Sequence, residues 1–163
     1  MNIPELIIFT GPMFGSKTTN LLGAIDRYRY QNKNVVAFKP KLDDRYSISK
    51  IVTHNGGSVD AHVIRHGNDI MEFIQNYPEK IDVIAVDEAF MIDDVATAVI
   101  SLFRQGVTVI VSSLDLSATC NTFQEIEKML PWATRIKKCP AVCTSCGQDA
   151  YYTYKKVKTL DEI

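Results

Sequence analysis

Three short stretches carry side chains whose types and spacing could do chemistry, two of them together on a phosphate group. Gly11-Pro12-Met13-Phe14-Gly15-Ser16-Lys17-Thr18 sets two glycines and a lysine directly before a hydroxyl residue. Such a segment, entered from a strand and left through a helix, turns backbone N–H groups inward around an anion while the lysine reaches it. The strict pattern needs glycine at the sixth position, where this chain has Ser16, with Gly15 one place early. The strained, left-handed backbone expected there costs a residue with a side chain roughly 1–2 kcal/mol, which weakens the loop without forbidding it. A Gly-Ser pair is ordinary in any turn, but Lys17-Thr18 and the order of elements favour phosphate binding. The second stretch is Val83-Ile84-Ala85-Val86-Asp87-Glu88. A buried strand ending in two carboxylates can orient a Mg²⁺-bound water through the first and keep the second as a general base. Alone it would read as a strand end facing solvent; paired with the upstream loop it reads as chemistry. The third is Cys143-Thr144-Ser145-Cys146-Gly147, with the spacing of half a zinc site. Cys139, and less obviously Cys120, are the only thiols left to complete it, while His54, His62 and His66 lie far upstream and read as surface or loop residues. A tetrahedral zinc site and a set of reduced, unmetallated cysteines stay equally open.

The elements that must position these groups follow from periodicity. Continuous apolar runs predict strands over 6–9, 35–38, 81–86 and 107–111, and apolar residues at helical spacing predict helices over 18–33, 69–77 and 93–105. Gly106 takes the position just past a helix end. Residues 40–60, with mixed charge and adjacent Gly56-Gly57, predict a long loop containing a short hairpin, the natural place for a mobile flap. Strands alternating with helices imply right-handed crossovers, and so an α/β fold: a parallel sheet of P-loop type with helices on both faces. Ligands of such sheets sit beyond the carboxyl ends of the strands. Gly11 to Thr18, Asp87-Glu88 and Leu114-Asp115 would meet there in one crevice. Composition shifts after Trp132, where basic residues, cysteines and tyrosines form a separate-looking tail. The expected division is 1–138 for the α/β domain and 139–163 for a small Cys-containing appendage.

Composition bounds the function classes. With 163 residues, 46% hydrophobic and 23% charged, the chain suits one compact domain and excludes a collagen, a disordered tail or a coiled coil. Its 18 Lys+Arg against 19 Asp+Glu give a formal charge of −1, without the basic surplus of a nucleic-acid binder. No positive leader and no apolar run near the roughly 20 residues of a membrane span appear, so the expectation is a soluble, cytoplasmic protein with no membrane partner.

Taken together, the motifs resemble the type II thymidine kinase family. The resemblance rests on Phe9-Thr10-Gly11-Pro12-Met13-Phe14 with Lys17-Thr18, on Asp43-Asp44-Arg45-Tyr46-Ser47 and Thr53-His54, on Val86-Asp87-Glu88-Ala89, on Leu114-Asp115, and on Ala141-Val142-Cys143-x-x-Cys146. Their order and spacing match over roughly residues 5 to 155. The resemblance implies transfer of the ATP γ-phosphoryl group to the 5′-hydroxyl of thymidine or a related deoxynucleoside, a step toward DNA synthesis, using Mg²⁺, in a homotetramer with a small zinc domain. It implies that Gly11 to Thr18 bind ATP, with Lys17 on the β- and γ-phosphates, Thr18 and Asp87 serving Mg²⁺, and Glu88 as the base. Arg45 would offset charge on the transferring group, with Asp43 placing the substrate. Met13, Leu114 and Phe123 would pack around the nucleoside, and Tyr152 is a candidate lid residue.

The departures point to a second expectation. The family's Phe-Ser-Gly-Lys is Phe14-Gly15-Ser16-Lys17 here, and its Asp-Glu-x-Gln-Phe is Asp87-Glu88-Ala89-Phe90-Met91. The glycine after Leu-Asp is Leu116, and a following aromatic is Ala118. The family continues past its first Cys-x-x-Cys to a loop over the base and a second pair of zinc ligands, whereas this sequence stops at Ile163. If that end is native, thymidine should be a poor acceptor. The rival expectation is therefore a catalytically impaired nucleotide-binding or assembly protein on the same scaffold.

Overall fold

A computed structural model describes residues 3–41, 49–53 and 56–155. In chain order they form β1 (Leu6–Gly11), α1 (Lys17–Tyr30), β2 (Val35–Pro40), β3 (Lys50–Val52), β4 (Ser58–Asp60), β5 (His62–Ile64), α2 (Gly67–Asn76), β6 (Val83–Val86), α3 (Val95–Arg104), β7 (Thr108–Leu114), α4 (Gln124–Met129), β8 (Arg135–Lys138), β9 (Ala141–Val142) and β10 (Asp149–Ala150). Six strands make one sheet in the order β5-β2-β6-β7-β1-β8, and each of its neighbouring pairs is parallel. The remaining four form two small antiparallel hairpins, β3–β4 and β9–β10.

The continuous apolar runs are strands because both faces of the sheet are covered. On one face Leu6, Ile8, Phe38, Ile84 and Val86 pack beneath α2, α3 and α4. On the other, Ile7, Phe9, Ala37, Ala85 and Ile110 meet Leu21, Leu22 and Ile25 of α1, with Ile51 and Val59 of the β3–β4 hairpin beside them. Each such large apolar side chain contributes about 1.5–3 kcal/mol by leaving water. Helix α1 starts with no acidic residue in its first turn and ends with Arg27 and Arg29, so its positive end is left for an anion and its negative end is offset. At the start of α2, Asp69 accepts the backbone N–H groups of Arg65 and His66 at 2.9 and 3.0 Å, satisfying donors no helical carbonyl can reach.

The expected alternation of strands and helices, the hairpin within 40–60 and the left-handed Gly106 (φ 95°) after α3 are all present. Several features differ, among them β5 and α4, for which the periodicity predicted no element. The fourth predicted strand runs on to Leu114, which brings the residues after it to the sheet's carboxyl edge. Residues 135–138, which fall inside the expected 1–138 domain but were given no element there, form an edge strand of the main sheet, paired with β1 from Ile7↔Arg135 to Thr10↔Lys138. Arg135, Ile136, Lys137 and Lys138 are all exposed. An edge strand guarded by charge has no apolar signature to read.

Candidate active site

Between β1 and α1 the chain makes the expected phosphate loop. Gly11 has φ 139°, Phe14 63° and Ser16 60°, and the Gly15 N–H closes onto the Pro12 carbonyl at 3.3 Å. Ser16 thus holds the left-handed backbone anticipated from its place in the motif, and its hydroxyl does not cap the helix. Gly15 is needed for another reason. A Cβ there would lie 2.4 Å from the Cys139 carbonyl oxygen and 3.0 Å from that of Pro12. Lys17 turns inward, only 8% exposed, and its Nζ donates to the Pro12 carbonyl at 2.5 Å. Burial pushes its ammonium below the ordinary lysine range, while the carboxylates of Glu88 and Asp87 pull it back up. An anion entering the loop would replace the Pro12 carbonyl with a stronger acceptor for the same ammonium.

Facing the loop across the cleft is the end of β6. Asp87 is 4% exposed, its backbone N–H held by the Phe38 carbonyl at 2.9 Å, and its Oδ1 accepts the Thr18 hydroxyl at 3.1 Å. Glu88 follows with φ 50° and ψ 44°, a left-handed residue without glycine's freedom, at the turn into the 3-10 segment Ala89–Met91. Strain of this kind collects where a side chain must be aimed. The adjacent hydroxyl and carboxylate are both hard oxygen donors, the kind that would hold a Mg²⁺ ion. Lys39, at the end of β2, lines the same cleft although only 3% exposed, and its Nζ donates to the Lys50 carbonyl at 2.8 Å. The hairpin that carries Lys50 to Thr53 therefore closes one side of the cleft, which measures about 940 Å³ including its open mouth.

Met13, Phe90, Met91 and Leu114 add apolar side chains to the cleft lining. Phe123 stands behind Phe90, ring centroids 4.9 Å apart, and buttresses the wall rather than forming it. Tyr152 is not on the lining; its ring lies 5.7 Å from the Lys138 ammonium, which also pairs with Asp115 at 3.3 Å. Asp43 and Arg45 lie outside the described residues. Cys143 and Cys146 flank a knuckle in which the Cys143 N–H bonds the Gln148 carbonyl and the Gly147 N–H bonds the Cys143 carbonyl, both at 2.8 Å. Cys139 does not join them. It is buried against the phosphate loop, and no group of three metal-ligating residues occurs among the described residues. The two knuckle thiols supply half a zinc site, so the described donor set does not fit a complete one.

Sequence reasoning named the loop, Thr18 and the two carboxylates, all of which meet in the cleft. It missed Lys39, which fell between the predicted strand 35–38 and the predicted loop 40–60, and Phe90, seen only as a missing glutamine; a lysine directly after the apolar run Val35-Val36-Ala37-Phe38 was the available signal for Lys39. Among the described residues no helix is long and apolar enough to cross a membrane.

A profile of the family described as thymidine kinase matches residues 4–163. A thymidine kinase of Pyrobaculum aerophilum is 37% identical over 153 residues, spanning 93% of this chain and 82% of that protein. Those of Pseudothermotoga lettingae and Mycoplasma mycoides are 35% and 34% identical, over 98% and 92% of this chain and 85% and 73% of their own lengths. With a matched profile running almost end to end over a cleft of this shape, the chain belongs to the thymidine kinase family.

Proposed function

We propose that the protein transfers the γ-phosphoryl group of ATP to the 5′-hydroxyl of thymidine or a closely related deoxynucleoside. The single observation that supports this most is the meeting of Lys17, Thr18, Asp87 and Glu88 around one cleft that Met13, Phe90, Met91 and Leu114 also line. In this reading the N–H groups of the loop and of the first turn of α1 hold the β- and γ-phosphates, and the Lys17 ammonium leaves the Pro12 carbonyl for them. Thr18 and Asp87 hold Mg²⁺, which when bound neutralises charge building on the phosphate oxygens. Glu88 accepts the proton of the attacking hydroxyl. Phosphoryl transfer asks chiefly for positioning and charge, and these groups supply both. Met13, Phe90, Met91 and Leu114 pack on the nucleoside, with Phe123 supporting them. Arg45 and Asp43, from the segment between β2 and β3, complete the proposal as the cation on the transferring group and its positioning partner.

The impaired-scaffold alternative drew in part on the reversed Gly15-Ser16 pair; on that one point the left-handed Ser16 and the inward Lys17 support an intact loop. The proposal further includes Tyr152 as a lid residue, the division at 138/139, a cytoplasmic location and, from the family likeness, homo-oligomerisation. Zinc is not part of the mechanism. Incubation of the protein with Mg²⁺, labelled ATP and thymidine, deoxyuridine or a purine deoxynucleoside tests the reading; failure of label to reach any 5′-hydroxyl would refute it.

A further inference from the structure

The reversed glycine has a physical counterpart in the strand behind the loop. Cys139, directly after β8, donates its N–H to the Thr10 carbonyl at 2.7 Å, and its own carbonyl presses on the loop where a Cβ at Gly15 would stand. That crowding requires glycine at position 15, and the left-handed angle falls on Ser16 instead. One side chain spans both features. Asn20, in the first turn of α1, donates its Nδ2 to the Ser16 carbonyl at 2.8 Å and toward the Cys139 sulfur at 3.6 Å, while its Oδ1 accepts Lys137 Nζ at 2.8 Å. With donor and acceptor ends both engaged, the carboxamide is fixed in one orientation, and it ties the strained residue to the edge strand.

We propose that Asn20 is a positioning residue which, braced by Lys137 and the Cys139 backbone, holds the phosphate loop in its Gly15-Ser16 form. The inference rests on the loop being the nucleotide site. Its consequence is that the glycine order is an adaptation to β8 rather than decay of the motif. Restoring the family order at these two positions should therefore harm this chain.

The test is calorimetric binding of Mg²⁺-ATP to the wild-type protein, Asn20→Ala, Ser16→Gly and the double variant, with thermal melting of each without nucleotide. A left-handed residue with a side chain carries a cost equivalent to roughly a 5- to 30-fold change, so Asn20→Ala should weaken binding by about that factor. In the Ser16→Gly background, where glycine needs no brace, the same change should cost under about 3-fold. Gly15→Ser with Ser16→Gly, the family order, should bind at least about 10-fold more weakly than wild type. If Asn20→Ala fails to fold, Asn20→Leu keeps the volume and removes the polar bonds. An equal loss in both backgrounds, no loss in either, or wild-type affinity in the swapped variant would overturn the brace. A wild-type protein that does not bind ATP overturns the nucleotide reading instead, and melting then decides the brace: Asn20→Ala lowers the midpoint only with Ser16 present if the proposal holds, and equally or not at all in both backgrounds if it fails.

Discussion

Replacing Gly11 by alanine adds one methyl group at the root of the phosphate loop, and two separate costs can be read from its surroundings. With φ 139° Gly11 occupies a region that side-chain-bearing residues rarely enter, at roughly 1–3 kcal/mol. The new Cβ would stand 2.3 Å from the Cys139 carbonyl oxygen, about 1 Å inside ordinary contact. That oxygen is backbone, so β8 must shift and strain the 2.7 Å bond between Cys139 N–H and the Thr10 carbonyl, worth about 0.5–1.5 kcal/mol. Together these destabilise the fold by about 2–4 kcal/mol. Gly23 is the internal control, because it lies inside α1 with no atom within 4 Å of an added Cβ. The same substitution there should stabilise by about 0.4–1 kcal/mol, since alanine restricts the unfolded chain and favours helix. Urea denaturation followed by circular dichroism measures both, as shifts of midpoint in opposite directions at unchanged slope. A Gly11→Ala midpoint within error of wild type would refute the close approach of β8 to the loop.

Other expectations can be checked with similar means. Lys39→Met removes the buried donor to the Lys50 carbonyl and should lower phosphoryl transfer roughly ten-fold or more, with Lys39→Arg retaining most of it; unchanged kcat and KM in the Met variant would reduce Lys39 to a passive residue. Asp69→Ala should cost about 1 kcal/mol by uncapping α2, read from thermal melts. Backbone hydrogen bonds from Arg65 and His66 hold the Asp69 carboxyl below its ordinary 3.8, so this stabilisation is present above that pH and fades as pH falls through the lower, folded value. The difference between wild type and Asp69→Ala should shrink in acid, and a constant difference would contradict the cap. Hydrogen bonds from the backbone of Cys146 and Ser145 draw the Cys143 thiol down, whereas burial pushes Cys139 up; iodoacetamide with peptide mass mapping should therefore label Cys143 well before Cys139. Equal labelling would mean that the phosphate loop does not shield Cys139.

Much of the architecture was legible because the sheet is buried on both faces. Runs such as Leu6-Ile7-Ile8-Phe9 and Val83-Ile84-Ala85-Val86 cannot be anything but interior strands when helices alternate with them. The edge that carries the candidate site was legible for a related reason: Lys17-Thr18 and Asp87-Glu88 are polar residues placed at the ends of those runs. What stayed hidden depends on contacts distant in sequence. The need for glycine at position 15 comes from a carbonyl 124 residues further along, and the placement of Cys139 against the loop removes it from the zinc site its spacing suggested. Strand β8 was lost because charge protects an edge from pairing and erases the apolar alternation that reveals strands. Lys39 was lost because a lysine just past an apolar run reads as a chain leaving its strand for solvent until the fold shows where its ammonium ends.

The central claim is that this cleft moves a phosphoryl group to a nucleoside hydroxyl with Glu88 as the base. The most direct measurement is the rate of label transfer from γ-labelled ATP to thymidine by the wild-type protein and by Glu88→Gln, with ATP affinity measured alongside. Wild type should transfer label, the variant's kcat should fall by about 10²–10⁴-fold, and ATP binding should be little changed in both. Transfer by Glu88→Gln at the wild-type rate, or none by a wild-type protein that binds ATP, would contradict the claim.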